Sequence, residues 1–156
     1  MNIYYHPLYT KGIDSKSTFP KERYDLIKDA LAVNELSNTI AIKTPNKVAI
    51  NDIYRAHSKD YVDAFLSSGL SDKQVREIGL KPWSDKIIDR TLFLTGGSVS
   101  ALYDIYKGAP VSANMAGGTH HAFSERGSGF CIFNDIAICA IKALEDYNYN
   151  LSLIHI

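Results

Sequence analysis

Met115–Ala140 reads MAGGTHHAFSERGSGFCIFNDIAICA. Two adjacent histidines, His120 and His121, stand between Gly117 and Gly118 on one side and Gly127 and Gly129 on the other. Neighbouring residues of a helix do not share a face, and in an extended chain they point to opposite sides. Two imidazoles that serve one substrate therefore need a bent loop, and the glycines supply the backbone freedom for it. Imidazole titrates near neutrality, so one ring can act as a base while the other acts as an acid. Metal binding or plain packing would use adjacent histidines as readily. The glycines, with GFCIFND following at a short distance, favour a functional loop. Phe133, Ile136, Ala140 and Leu144 then recur at helical spacing, so a helix is expected from about Cys131.

Working back from the loop, Val111–Asn114 reads as a short strand that feeds it. Functional loops at the C-terminal ends of strands are the usual layout of parallel α/β sheets. Ser84–Lys107 is expected to be one long helix, with Ile88, Leu92, Val99, Leu102 and Tyr106 on its buried face and Gly108 and Pro110 ending it. Gly96 and Gly97 each cost such a helix about 1 kcal/mol relative to alanine, which close packing would justify. Trp83, beside Pro82, reads as a packing anchor. Val48–Ala56 and Ser58–Ser68 read as two helices, the second capped by Ser58, with Tyr61, Ala64 and Phe65 buried and His57 hydrogen-bonded at their junction. Asn2–Tyr5 and Thr39–Ile42 read as strands. Between them a helix runs on from Tyr24, with Thr18 as cap, Pro20 in its first turn, and Ile27, Ala30, Leu31 and Val33 as its apolar positions. This alternation implies a single α/β domain with a largely parallel sheet flanked by helices.

Charge narrows the partners. The chain has 156 residues, with 17 Lys plus Arg against 17 Asp plus Glu. A net charge of zero carries no electrostatic footprint for nucleic acid, and no apolar run reaches membrane-spanning length. Cys131 and Cys139 fit neither a redox pair nor a zinc knuckle; on a helix they would share a face as reduced thiols. A cytoplasmic location is expected from these features.

AGGTHHAFSERGSGFCIFND resembles the catalytic loop of zinc-dependent deacetylases of the histone deacetylase superfamily, of the bacterial and class IV type. YYHPLY at Tyr4–Tyr9, TFPKERYDLIKDAL at Thr18–Leu31, AHSKDYVDAFLSSGLS at Ala56–Ser71 and IGLKPWS at Ile78–Ser84 fit the same family in the same order. The resemblance implies a three-layer arginase–deacetylase fold, a zinc cofactor, and an acylated lysine or small acylated amine as substrate. By the same resemblance His120 and His121 would orient and deprotonate a zinc-bound water, and one of them would protonate the leaving amine. Gly129 and Phe130 would grip the acyl-lysine stem, with Cys131 near the deeper acyl pocket and Trp83 at the substrate-side rim. Arg23 would line an inner acetate-release pocket. The family's zinc ligands, two aspartates and a histidine, fall beyond the last residue here, so no metal ligand is assigned. Asp135 matches a structural position.

Residues 1–150 are thus expected to be the N-terminal part of one deacetylase domain, its sheet incomplete at the C-terminus, inactive as given. LSLIHI at Leu151–Ile156 is what the transposon-end adapter CTG-TCT-CTT-ATA-CAC-ATC encodes, and is expected to be either adapter-derived or a truncated strand. Two other classes compete. One is a metal-free module that binds acyl-lysine without cleaving it. The other is a thiol hydrolase pairing Cys131 with His121.

Overall fold

The computed structural model describes residues 1–33 and 38–149; the reading of LSLIHI lies outside them. In chain order the elements are β1 (Asn2–Tyr4), α1 (Leu8–Lys11), α2 (Arg23–Val33), β2 (Ala41–Lys43), α3 (Ile50–Tyr54), α4 (Lys59–Leu66), α5 (Asp72–Ile78), α6 (Ile87–Tyr106), β3 (Ser112–Asn114) and α7 (Asp135–Glu145). The three strands form one parallel sheet in the order β2-β1-β3. Asn2, Ile3 and Tyr4 of the central strand pair with Ala41, Ile42 and Lys43 on one side and with Ser112, Ala113 and Asn114 on the other. Helices flank the sheet, giving the expected α/β architecture of arginase–deacetylase type.

The organising element is α6, which packs on β1, β3, α1 and α7. Its two glycines are there because nothing else fits. A Cβ on Gly96 would lie 1.9 Å from the Asn46 carbonyl oxygen, and one on Gly97 would lie 2.5 Å from the Tyr9 hydroxyl. The loop after β2 and the tyrosine of α1 therefore press directly on the helix backbone, and the Val48 N–H donates to the Leu92 carbonyl at 3.1 Å. The buried face differs from the expected stripe. Leu92 is buried as expected, but the face runs Ile87, Arg90, Thr91, Leu94, Thr95, spaced i, i+3, i+4, i+7, i+8, so an arginine and two threonines lie inside where no buried residue was expected. Ile88 and Val99 are only partly buried, and Tyr106 is 45% exposed.

Other boundaries shift for local reasons. Arg23 opens α2, so Thr18 and Pro20 precede the helix. Only Tyr24 of α2 is buried, while Ile27 and Val33 are exposed. Ser58 stands at the N-cap of α4, but its side chain makes no capping bond; its N–H donates instead to the Ser124 carbonyl of the histidine loop at 2.9 Å. Helix α5 was not anticipated. A capping box of Ser71 and Gln74 starts it and left-handed Gly79 ends it.

Candidate active site

The loop that leaves β3 at Met115 is fastened at each bend. Asp135, the first residue of α7, is 1% exposed. Its carboxylate accepts hydrogen bonds from the Gly118 N–H at 3.0 Å, the Thr119 N–H and hydroxyl each at 2.7 Å, and the Ser98 hydroxyl. A charge this deeply buried is tolerated only when hydrogen-bonded so fully, and the amino end of α7 adds a favourable dipole. The His120 N–H then turns back to the Gly118 carbonyl at 3.0 Å, with Gly118 at φ 88°, a conformation that residues with a Cβ rarely adopt.

Asn134 and His57 hold the next segment. The Asn134 side chain accepts from the Ala137 N–H at 3.0 Å as the N-cap of α7. Its amide donates to the carbonyls of His120 and Ala122, at 3.4 and 3.1 Å, on either side of His121. His57 is 3% exposed. Its Nδ1 meets the Ser124 carbonyl at 3.3 Å and its Nε2 accepts from the Asn134 N–H at 2.9 Å. A carbonyl can only accept, so the proton sits on Nδ1 and the ring is neutral. Burial holds its pKa below the ordinary value, partly offset by the carbonyls of Ser124 and Phe123. The hydrogen-bonded junction expected for His57 is what it provides.

These restraints bring the two imidazoles of adjacent residues to one place. The rings of His120 and His121 have centroids 4.2 Å apart, and both residues are exposed. His120 Nδ1 donates to the Gly118 carbonyl at 2.9 Å, leaving Nε2 as its basic nitrogen.

Gly129 and Phe130 form the tight turn beside them. Ser128 and Cys131 exchange two backbone hydrogen bonds, 2.9 and 2.8 Å, around φ values of 53° at Gly129 and 68° at Phe130. Two positive φ values in succession are the signature of a type I′ turn. A left-handed phenylalanine costs roughly 1–2 kcal/mol. Two bonds offset it, the N–H of Phe130 to the Ile78 carbonyl at 2.7 Å and that of Gly129 to the Glu77 carbonyl at 3.3 Å. These are carbonyls of the last turn of α5, which lack partners within the helix. A side chain at Gly129 would crowd His121, since a Cβ there would lie 3.1 Å from His121 Cγ, and a φ of 53° is one that side chains rarely adopt. The Phe130 ring meets Phe19 edge-on at 5.2 Å.

Cys131 closes this turn and precedes α7, so the expected helix start on Cys131, and the shared helical face with Cys139, are corrected. The left-handed turn and the extended Asn134 cap interrupt any helix there. Burial pushes the Cys131 thiol above its ordinary value, which disfavours a thiolate nucleophile. Arg23 stacks on Phe19, its guanidinium 4.9 Å from the ring centroid, which places it one aromatic ring away from Phe130. Trp83 packs edge-on against Phe65 at 5.8 Å, and Phe65 against Phe133 at 5.2 Å. The sequence reading missed Asn134 and α5 as supports of the loop. The N-cap asparagine before an apolar run, and the Ser-x-x-Gln box with its following glycine, were the available signals.

Among the described residues no three His, Cys, Asp or Glu side chains come together to hold a metal ion, so these residues do not by themselves fit a zinc ion. No helix among them is long and apolar enough to cross a membrane.

A parallel α/β scaffold thus presents paired imidazoles beside an aromatic turn. The sequence matches the histone deacetylase domain over residues 17–156, and the chain belongs to the histone deacetylase family. It is 36% identical over 137 residues to an uncharacterized protein of Picosynechococcus sp. strain PCC 7002, covering 87% of this chain and 45% of that protein. It is 32% identical over 126 residues to histone deacetylase clr6 of Schizosaccharomyces pombe, covering 74% and 31%. With the acetoin utilization protein AcuC of Bacillus subtilis it shares 29% over 150 residues, covering 90% and 38%. The chain thus spans less than half the length of these relatives. The family is one of deacetylase-type hydrolases, generally zinc-dependent.

Proposed function

We propose that this chain carries the proton-handling and channel-forming part of a deacetylase that hydrolyses the amide of an N-acyl-lysine or a small acylated amine. The observation that carries the reading is the pairing of His120 and His121 at 4.2 Å on a loop tied down from three sides. One imidazole takes a proton from the attacking water and the other returns one to the departing amine. Gly129 lets His121 come close, and Phe130 with Phe19 offers the flat apolar wall that an aliphatic stem requires. Cys131 lies behind that wall, Arg23 accepts the released carboxylate, and Trp83 belongs to the substrate-side rim. A zinc ion of the kind the family generally uses would have to be held by residues outside those described, and the chemistry it would supply is polarisation of the amide carbonyl. The uncoupled thiols of Cys131 and Cys139 suit a reducing cytoplasm.

Binding of an ε-acetyl-lysine peptide tests this. Chemical-shift changes at His121, Gly129 and Phe130 with the acetylated peptide, absent with free lysine and lost in Phe130→Ala, support the assignment. Equal responses to acetylated and free lysine would remove it.

A further inference from the structure

Asn114, the last residue of β3, has its side-chain amide engaged at both ends. Its Nδ2 donates to the Leu94 carbonyl at 2.8 Å and to the Ser98 hydroxyl oxygen at 2.9 Å. Its Oδ1 accepts from the Tyr9 hydroxyl at 3.0 Å and from the Ala116 N–H at 3.3 Å. This orientation is forced, because the Leu94 carbonyl can only accept and the Ala116 N–H can only donate. Ser98 receives a proton from the amide and turns its own hydroxyl proton to the Asp135 carboxylate. Asp135 in turn holds the Gly118 N–H, and the Gly118 carbonyl accepts from both the N–H and the Nδ1 of His120. Asn114 is thus linked to His120 through Ser98, Asp135 and Gly118.

Two glycines make room for this network. A Cβ on Gly97 would lie 2.6 Å from Asn114 Oδ1. One on Gly117 would lie 2.9 Å from Ser98 Oγ and 3.0 Å from Asp135 Oδ2. Helix α6 and the start of the histidine loop can therefore close around the polar groups. The donors begin at Tyr9 of α1, which is fully buried, and end on the carboxylate that fastens the loop.

We propose that Asn114 and Ser98 are positioning residues for His120 and His121: the amide aims the serine hydroxyl at Asp135, and Asp135 sets the peptide that carries the imidazoles. What the pair does with its protons rests on the deacetylase reading; how the pair is held does not. A carboxylate at position 114 would turn an oxygen onto the Leu94 carbonyl and compete with Asp135 for the Ser98 proton, so the position calls for an amide.

Acetate release from an ε-acetyl-lysine peptide, by the protein expressed from its native genomic frame, tests the proposal through two single variants and their double. Ser98→Ala and Asn114→Ala each lower kcat by about tenfold or more with KM within about twofold, since a misplacement of about 1 Å can cost about 10²-fold. The double variant loses little beyond the larger single effect, because both residues act in series on Asp135. Rates are taken well below each variant's unfolding midpoint, so that loss of folded protein does not enter. Hydrogen exchange reads the same network without turnover: the amides of Gly118 and Thr119 lose protection in Ser98→Ala while those of β1 keep it. Where Asn114→Ala does not fold, Ser98→Ala decides. Unchanged kcat in folded Ser98→Ala, single effects that multiply in the double variant, or unchanged exchange at Gly118 and Thr119 would each overturn the proposal. A parent protein that releases no acetate removes the deacetylase reading instead, and the exchange measurement then decides the positioning by itself.

Discussion

Replacing Asp135 by alanine exposes the mechanical basis of the histidine loop. The carboxylate is 1% exposed and accepts from Gly118 N–H, Thr119 N–H, Thr119 O–H and Ser98 O–H. Truncation leaves these donors facing a void, each unmade bond costing about 1–3 kcal/mol. Relief of the carboxylate's own desolvation returns part of that, so the net loss is about 3–5 kcal/mol. With a urea dependence near 2 kcal/mol per molar for a domain of this size, the unfolding midpoint falls by about 1.5–2.5 M. Hydrogen exchange gives the local readout, since the amides of Gly118 and Thr119 lose protection ahead of the sheet amides. Asp135→Asn keeps the volume and one accepting oxygen and falls about halfway between. A midpoint shift below about 0.5 M, or unchanged protection at Gly118 and Thr119, refutes the idea that this carboxylate fastens the loop.

Three further perturbations follow from the geometry. Gly129→Ala places a Cβ 3.1 Å from His121 Cγ at φ 53°, so it should cost about 1–2 kcal/mol and displace the His121 ring resonances while leaving those of His57 in place. His57 binds its proton less readily folded than unfolded, so its contribution to stability is complete above the ordinary pKa near 6.5 and is lost as pH falls below it. The slope is at most about 1.4 kcal/mol per pH unit; denaturation at pH 7 and pH 5.5 should show it, and His57→Gln should lack it. Burial pushes the thiol of Cys131 up and that of Cys139 up to about 12. Iodoacetamide at pH 8 should therefore modify both far more slowly in the native protein than in urea, and a fast native reaction at Cys131 would reopen the thiol-hydrolase reading.

What the sequence made legible was whatever rests on local rules. Strand β3 feeding the histidine loop, the bend between the imidazoles and the close packing at Gly96 and Gly97 all follow from glycine placement and periodicity. The buried face of α6 was not legible, because Arg90, Thr91 and Thr95 look like solvent-facing residues. Only the tertiary packing of Tyr9, Phe19 and Thr119 around them makes that face an interior. Cys131 was misread for a related reason. Apolar spacing from Phe133 onward carries backwards across Gly129 and Phe130, whereas a left-handed turn breaks it. In α2 the apolar positions Ile27 and Val33 are exposed among the described residues, so periodicity named a face without saying what covers it. The support of Phe130 by the carbonyl end of α5 depends on contacts distant in sequence, which no local pattern encodes.

The central claim is that His120 and His121 are the proton-transfer pair of a deacetylase. Acetate release from an ε-acetyl-lysine peptide tests it most directly, using the protein expressed from its native genomic frame beside its His120→Ala and His121→Ala variants. Turnover that falls by about 10²–10⁴-fold in each variant, with KM nearly unchanged, is the predicted result. Variants that release acetate as fast as the parent protein, or a parent that releases none, would contradict it.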